Sequence, residues 1–246
     1  WLNDRATNRT RGQLLSIYML LTLVALSSGS LLLNFSSPEK YEPFILISLL
    51  LSLALVPILL TKRKAPKFKK LGSLSIQSLY KTSPLAAVSM FCNGFIHSAI
   101  FTLAAVYAAT MNFTIFEISL LIFLISFAGG IFQWPIGFFS DKSDRRMIII
   151  FCTFAAAIFC VLAIYASGTS LENMYLATSV GVDKIMFFVY ATLYAGMALP
   201  LFTLTLAYIN DYIPKEKFVA AGAGLQIIFG IGAMMGPLFC TLLMTK

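Results

Sequence analysis

Seven long apolar stretches most constrain what this chain can fold into. They lie at approximately 13–35, 43–61, 84–110, 115–139, 147–167, 184–209 and 217–244, and each is close to the roughly 20 residues that a helix needs to cross a bilayer. Because the hydrocarbon core holds no water to satisfy backbone polar groups, each stretch must be helical. Apolar residues make up 59% of the chain and charged residues only 11%, whereas soluble domains carry about 25% charged residues. The sequence therefore predicts an all-α integral membrane protein with seven transmembrane helices.

The basic residues indicate the orientation of the chain in the membrane. All but three of the 18 lie in segments 1–12, 62–83, 141–146 and 211–217, which share one side of the membrane. The other side keeps only Lys40, Lys184 and Lys246. Because Lys and Arg accumulate on the cytoplasmic side, we predict a cytoplasmic N-terminus. The same placement accounts for the net charge of +8 without a nucleic-acid partner.

A short mixed-charge loop joins the fourth and fifth stretches. Residues 137–146 read GFFSDKSDRR, a pattern of Gly-x-x-x-Asp-Lys-x-x-Arg-Arg. This order resembles the loop signature of the major facilitator superfamily, whose members are secondary transporters usually built from twelve helices. Asp144 stands where the family has a second Gly. The residues that fit the signature are Gly137, Asp141, Lys142, Arg145 and Arg146.

The resemblance implies that this loop is a conformational latch. In the family, the Asp is held near a helix N-terminus and the Arg residues pair with acids on neighbouring helices. The alternative is that these charges only anchor the helix ends at the membrane surface. Simple anchoring requires neither Asp141 nor Gly137, which favours the latch.

A weak internal repeat agrees with the family architecture. Laying Arg11–Ser30 over Phe218–Pro237 aligns Ala25 with Gly232 and Gly29 with Gly236, an offset expected of two six-helix halves. Residues 1–61 would then end the N-terminal bundle as helices 5 and 6. Residues 62–83 would be a basic cytoplasmic linker, and residues 84–246 the C-terminal bundle from helix 7 to helix 11. The missing helices of the same protein would be partners of this chain.

Short matches indicate a bacterial subgroup within the superfamily. Trp1-Leu2-Asn3, the pair Arg11-Gly12 and the run Ser83-Pro84-Leu85 resemble the YcaD-like transporters. The subgroup implies a location in the bacterial cytoplasmic (inner) membrane.

Polar residues inside the spans are candidates for a solute cavity, because such residues tend to face the bundle or water. His97 could carry a proton or could be a neutral histidine bonded between helices. The Asn and Gln residues could contact solute or form interhelical hydrogen bonds, and the tyrosines could instead pack or lie at the membrane interface. The candidates are Asn93, His97, Gln133, Tyr190, Tyr194 and Gln226.

Two further patterns concern helix packing. Gly232, Gly236 and Pro237 place small residues four apart, which suits either a seam that slides during transport or static close packing. The stretches 43–61 and 147–167 contain no Asn, Gln, His or mid-span charge. That composition is typical of lipid-facing scaffold helices.

These patterns favour a secondary active transporter of a small solute that works by alternating access, with proton coupling and efflux as open alternatives. A seven-helix receptor or sensor is the competing hypothesis. An enzyme is not expected, because the one histidine has no companion acids or nucleophile. The four cysteines lack metal-type spacing, so neither a metal nor a cofactor is predicted. The expected partners are the solute, the lipid bilayer and H⁺ as a candidate coupling ion.

Overall fold

The computed structural model describes residues 11–34, 40–60, 75–167, 184–214 and 217–244, and every regular element in these ranges is helical. This confirms the all-α prediction for the described part of the chain. A 3₁₀ turn, Leu32–Asn34, follows the first helix. The α-helices are α1 Arg11–Leu31, α2 Glu42–Leu59, α3 Ile76–Thr82, α4 Pro84–Thr110, α5 Ile115–Lys142, α6 Arg145–Ala166, α7 Lys184–Ala198, α8 Leu201–Asn210 and α9 Phe218–Met244.

Five of the seven predicted spans are confirmed as helices long and apolar enough to cross a membrane. They are α4, α5, α6, the consecutive α7–α8 segment and α9. The stretches 13–35 and 43–61 coincide with α1 and α2, whose apolar portions among the described residues are shorter, Leu20–Leu31 and Glu42–Pro57. The count of seven and the orientation therefore stay predictions. Of the linker predicted at 62–83, residues 76–82 form α3, and residues 62–74 lie outside the described ranges.

Polar residues at the helix starts explain why three spans begin where they do. Ser83 caps α4, its hydroxyl accepting a hydrogen bond from the Ala86 N–H at 3.2 Å. Thr114 and Glu117 form a reciprocal capping box at the start of α5. Asp144 caps α6 through the Arg146 N–H at 2.9 Å. Each cap satisfies N–H groups that the first helical turn leaves unpaired.

The most extensive helix contact joins α4 to α9, and glycines make it a contact between backbones. A Cβ atom added to Gly94 would collide with the carbonyl oxygen of Phe229, and one added to Gly232 would collide with that of Phe91. In a bilayer, helices gain little from burying apolar surface against each other, so close van der Waals approach at small residues holds them together. Gly94 and Gly232 are therefore required by the spacing of these two helices.

The predicted span 184–209 is broken near its middle. α7 ends at Ala198, and α8 begins at Leu201 after the pair Leu199-Pro200. Proline has no N–H to donate to the helix ladder and its ring disfavours a continuous helix. Pro200 therefore accounts for the break. It places Leu199 in close contact with Gly129 of α5.

α1 packs against α5 through small polar residues. The Ser30 hydroxyl donates to the Ser119 carbonyl at 3.2 Å, and Ser27 is almost fully buried. Gly130 faces Leu23, with room for a Cβ at 3.6 Å. This contact joins a helix of the predicted N-terminal bundle to one of the predicted C-terminal bundle.

α6 is the span most exposed to the surroundings of the bundle. Only 17% of its most apolar window is buried inside the protein, against 28–39% for the other four membrane-length helices. Its large apolar side chains, among them Phe151, Phe154 and Val161, are exposed. Such a surface is stable only against lipid or further protein, as expected for a scaffold helix.

The α4–α9 crossing gives a prediction with a control in the same helix. We expect Gly232→Ala to lower the free energy of unfolding by about 1–3 kcal/mol, because the added methyl group forces the two backbones apart. Gly230→Ala is the matched control, since a Cβ atom there meets nothing within 4 Å. The control should be neutral or stabilising by up to about 1 kcal/mol, because Ala favours helix over Gly. Thermal unfolding in detergent measures both, and equal effects would contradict the backbone contact.

Candidate functional site

Arg145 joins three helices at the predicted cytoplasmic end of the bundle. Its Nη2 donates to Asp141 Oδ1 at 3.0 Å and its Nη1 to Ser140 Oγ at 3.2 Å, both at the end of α5. Its Nε lies 2.8 Å from Oδ2 of Asp211, the residue that follows α8. One guanidinium on α6 therefore links the ends of α5 and α8.

Arg146 contacts α8 through two tyrosines. Its Nε donates to the Tyr208 hydroxyl at 2.9 Å, and its Nη2 donates to the Tyr212 hydroxyl at 2.7 Å. The guanidinium carbon lies 5.6 Å and 5.8 Å from the centroids of the two rings, within the range of cation–π attraction. Both arginines of the loop thus hold the C-terminal end of α8.

The remaining signature residues lie outside this cluster. Lys142 Nζ sits 4.0 Å from the centroid of the Phe138 ring. Gly137 has open space beside it, since an added Cβ atom would meet nothing within 4 Å among the described residues. Of the five signature residues, the structure brings together Asp141, Arg145 and Arg146.

Sequence reasoning missed the partners on the α8 side. Tyr208, Asp211 and Tyr212 were not among the predicted site residues, although Tyr208 lies at the end of the sixth predicted span and the other two follow it directly. The signal that could have found them is the acid Asp211 at a membrane edge, flanked by tyrosines four residues apart. That spacing puts both rings on one face of a helix.

Solvent exposure keeps the arginine cluster weak enough to open. The side chains of Asp141 and Asp211 are 71% and 50% exposed, whereas that of Arg145 is 22% exposed. Exposed ion pairs contribute about 0.2–1 kcal/mol each. Contacts of that strength can hold one arrangement of the helices and still be broken in a reversible motion.

A second ion pair lies at the opposite end of α5. Lys184 Nζ, at the start of α7, lies 2.7 Å from Glu117 Oε1. The other carboxylate oxygen accepts from the Thr114 N–H at 2.7 Å, and the Lys184 ammonium lies 4.9 Å from the centroid of the Phe113 ring. α5 is therefore bound to the α7–α8 segment at both ends.

Two of the predicted cavity residues, Gln133 and Asn93, form different kinds of hydrogen bond. Gln133 Nε2 donates to the Thr203 hydroxyl of α8 at 2.6 Å, and that hydroxyl donates to the Pro200 carbonyl at 2.8 Å. The structure thus places Gln133 in an interhelical hydrogen bond. Asn93 is buried and donates to the Ser89 carbonyl of its own helix at 2.9 Å.

A pair of hydroxyls that the sequence analysis did not single out links α4 to α8. Ser89 Oγ lies 2.9 Å from Thr205 Oγ1, which also donates to the Leu201 carbonyl at 2.7 Å. With the Gln133–Thr203 bond, α8 makes polar contacts with both α4 and α5. Serine and threonine are common in spans, so their pairing carries no sequence signal of its own.

His97 lies among aromatic rings from three helices. The ring centroid of Phe229 on α9 is 5.6 Å away, that of Phe101 on α4 is 6.2 Å away and that of Phe202 on α8 is 6.4 Å away. The imidazole also interacts with the backbone of Leu199 in the α7–α8 break. Its Nε2 atom is buried and has no hydrogen-bond partner among the described residues.

The other candidates are placed separately. Tyr190 and Tyr194 are half-buried on α7, one helical turn apart, and Gln226 is exposed on α9. A mid-span amide is costly against lipid, so the Gln226 face of α9 suits a polar cavity or further protein. Among the described residues, no hydrogen bond or ring contact joins these three to His97 or Gln133.

The predicted packing seam lies on the α4–α9 crossing. A Cβ atom added to Gly236 would collide with the Phe95 carbonyl oxygen and would lie 2.5 Å from Ser98 Oγ. Pro237 lies within α9, which continues to Met244. The glycines of the seam therefore touch the α4 backbone.

The described residues form five membrane-length helical segments, and polar bonds join these spans. The arginines of the signature loop reach a neighbouring helix. Together these features define a polytopic helical membrane protein. The chain belongs to the Major Facilitator Superfamily, which it matches over residues 1–237. This confirms the resemblance drawn from residues 137–146.

The chain is also similar to bacterial relatives that share one name. It is 24% identical over 240 residues to the uncharacterized MFS-type transporter YcaD of Escherichia fergusonii, and 23% identical over 240 residues to YcaD of Escherichia coli strain HS. Each alignment covers 97% of this chain and 58% of the relative, so the chain spans little more than half the length of these proteins. No solved structure matches the chain.

The arginine cluster gives a charge-reversal prediction. We expect Arg145→Asp and Asp211→Arg each to lower the thermal stability of the detergent-solubilised protein, because each places like charges together. The double variant should recover part of the loss, with a coupling of about 0.5–1 kcal/mol for a partly exposed pair. Lys142→Asp is the matched control, because Lys142 faces a ring rather than an acid. Purely additive losses in the double variant would contradict the Arg145–Asp211 pair.

Proposed function

We propose that the protein is a secondary active transporter that moves a small solute across the bacterial inner membrane by alternating access. The observation that carries the proposal is the Arg145 cluster. A family signature loop whose arginine spans α5, α6 and α8 with exposed ion pairs has the chemistry of a reversible latch. Membership of the superfamily favours transport over a receptor and over an enzyme.

The latch holds the predicted cytoplasmic ends of these helices in one arrangement. While Arg145 contacts both acids, the α5–α6 loop cannot move away from the end of α8 without separating opposite charges. Water can replace each lost contact because the carboxylates are largely exposed. Breaking the Arg145 ion pairs therefore costs little energy, and the hydrogen bonds of Arg146 to Tyr208 and Tyr212 must break with them. Solute binding is proposed to drive this opening.

The latch joins helices of one predicted bundle, so the movement between the two predicted bundles is proposed to occur elsewhere, where α1 meets α5. In the division predicted from the sequence, residues 1–61 and 84–246 belong to different bundles, and α1–α5 is a contact between them. Among the described side chains, a hydrogen bond from Ser30 to Ser119 and small residues make that contact. The α4–α9 crossing lies within one bundle and is locked by backbone contact, which supports static packing for the Gly232–Pro237 seam.

The solute site is proposed near the α7–α8 break, where the polar and aromatic groups of α4, α5 and α8 converge. Gln133 and Thr203 offer an amide and a hydroxyl, and Asn93 lies in the same span as His97 and its ring neighbours. Neutral hydrogen-bonding groups beside aromatic rings suit an uncharged or amphipathic solute. Tyr190, Tyr194 and Gln226 are proposed as further wall residues.

A ligand screen tests this function on the protein expressed from its complete reading frame. Sugars, amino acids, organic anions and amphipathic drugs are added to the detergent-solubilised protein, and a ligand of the folded state raises the melting temperature by mass action. We expect Gln133→Ala to weaken a hit by roughly fivefold, as for a neutral hydrogen bond worth about 1 kcal/mol. Phe154→Ala, on the outward face of α6, is the control and should leave the hit unchanged.

Flux measurements complete the test. In proteoliposomes, the hit should be carried across the membrane, and Arg145→Ala should slow that flux while leaving ligand binding in place. A hit that binds but is never transported would oppose the transporter proposal. If Gln133→Ala leaves the binding of the hit unchanged, the solute site does not lie between α5 and α8.

A further inference from the structure

His97 is the only histidine of the chain and holds an unusual position among its ionisable groups. It lies in the middle of α4, Pro84–Thr110. Every Asp, Glu, Lys and Arg in the described residues lies at a helix end or in a connecting segment. His97 is therefore the one imidazole, carboxylate, amine or guanidinium deep inside a described span. Buried ionisable groups in membrane spans mark ion or substrate pathways.

The geometry leaves one ring nitrogen of His97 open. A neutral imidazole has one nitrogen that donates and one that accepts a hydrogen bond. The ring interacts with the Leu199 backbone, while Nε2 is buried without a partner. We therefore assign the Leu199 contact to Nδ1, with the hydrogen on Nδ1 and a free lone pair on Nε2. That lone pair is the basic site of the ring.

The surroundings of His97 do not fix its charge state by an ion pair. Its neighbours from α4, α8 and α9 are the rings of Phe101, Phe202 and Phe229. The charge state of His97 depends on burial and on the Leu199 backbone, and no charged or titratable side chain of the described residues acts on it. A proton added at Nε2 would thus create a charge that only ring faces can stabilise, with Phe229 within cation–π range at 5.6 Å.

This arrangement makes proton binding sensitive to conformation. In the described arrangement, Nε2 is buried away from water. The protonated, positively charged ring is therefore favoured by any state in which the aromatic rings separate and water reaches Nε2. A ligand shifts a conformational equilibrium only if it binds the two conformations with different affinity. The proton meets this condition, because Nε2 binds it more weakly when buried than when water reaches it. The Leu199 contact joins this change to the α7–α8 break, beside the Gln133–Thr203 bond.

We propose that Nε2 of His97 is the proton-binding site that couples solute movement to a pH gradient. One proton adds to the Nε2 lone pair on one side of the membrane, giving an imidazolium that keeps its Nδ1–H contact with Leu199. The same proton leaves Nε2 on the other side and restores the neutral ring. This inference rests on the proposed transport function for its coupling, but proton binding at His97 can be measured without any transport.

Nuclear magnetic resonance of histidine-labelled protein tests the proton site directly. The full-length protein is labelled with ¹⁵N-histidine, and the His97 signal is identified by its loss in His97→Gln. At high pH we expect the neutral ring with its hydrogen on Nδ1, and on acidification conversion of Nε2 to the protonated form while the protein stays folded. A ring with its hydrogen on Nε2, or one that stays neutral until the protein unfolds, would overturn the proposal.

Transport assays test the coupling. In proteoliposomes carrying the solute found in the screen, His97→Gln should reduce the ratio of gradient-driven accumulation to exchange without a gradient at least tenfold. His97→Phe separates packing from proton binding, because phenylalanine suits the aromatic surroundings but cannot bind a proton. This variant should keep the melting temperature of the unmodified protein and should lose the response to the pH gradient. Thr102→Ala, exposed on the same helix, is the control and should respond as the unmodified protein does.

The outcomes separate the two proposals. A gradient response that survives in His97→Phe would overturn proton coupling at His97 and leave the transporter intact. An unmodified protein that carries no solute would count against the transport function, and the resonance titration would then decide the proton site by itself.

Discussion

Contact between the backbones of α4 and α9 determines how closely these two helices approach and which side chains meet between them. Gly94 and Gly232 let carbonyl oxygens of the facing helix approach where any side chain would collide. That approach brings the Phe229 ring within 5.6 Å of His97. The environment of the one buried histidine is therefore a product of glycine placement on two different helices, and a shift of α9 along α4 would alter it at once.

Polar contacts are distributed unevenly among the helix pairs. α5 is bound to α7–α8 by Glu117–Lys184 at one end and through Arg145 to Asp211 at the other. α1 is held on α5 by a hydrogen bond between Ser30 and Ser119 and by small side chains. Among the described side chains, α5 therefore makes more polar contacts with the α7–α8 segment than with α1.

Local patterns in the sequence predicted much of this architecture. Length and hydropathy identified the five confirmed spans, because the bilayer imposes both on any crossing helix. The loop signature identified the superfamily and both arginines, since its residues are contiguous. The partners Tyr208, Asp211 and Tyr212 lie more than 60 residues further along the chain. Their pairing depends on how α8 is rotated against α6, which no local pattern specifies.

The cavity residues show the same limit. Gln133 stands out in an apolar stretch, but its partner Thr203 belongs to a residue type that is common in spans. His97 could be recognised as exceptional from composition alone, whereas the three rings around it come from helices that meet only in the folded protein. Gln226 lies on an exposed face of α9, and its place in a solute cavity stays a prediction.

The exposure of α6 ties the protein to the thickness of its membrane. The helix has 22 residues and is therefore about 33 Å long, against a hydrocarbon core of about 30 Å. A mismatch of this kind is relieved by helix tilt or by local deformation of the lipid. Because α6 begins with Arg145 and Arg146, any tilt imposed by a thinner or thicker bilayer pulls on the contacts these arginines make with α5 and α8. A change in bilayer thickness would thus act on the contacts of Arg145 and Arg146 through the tilt of α6.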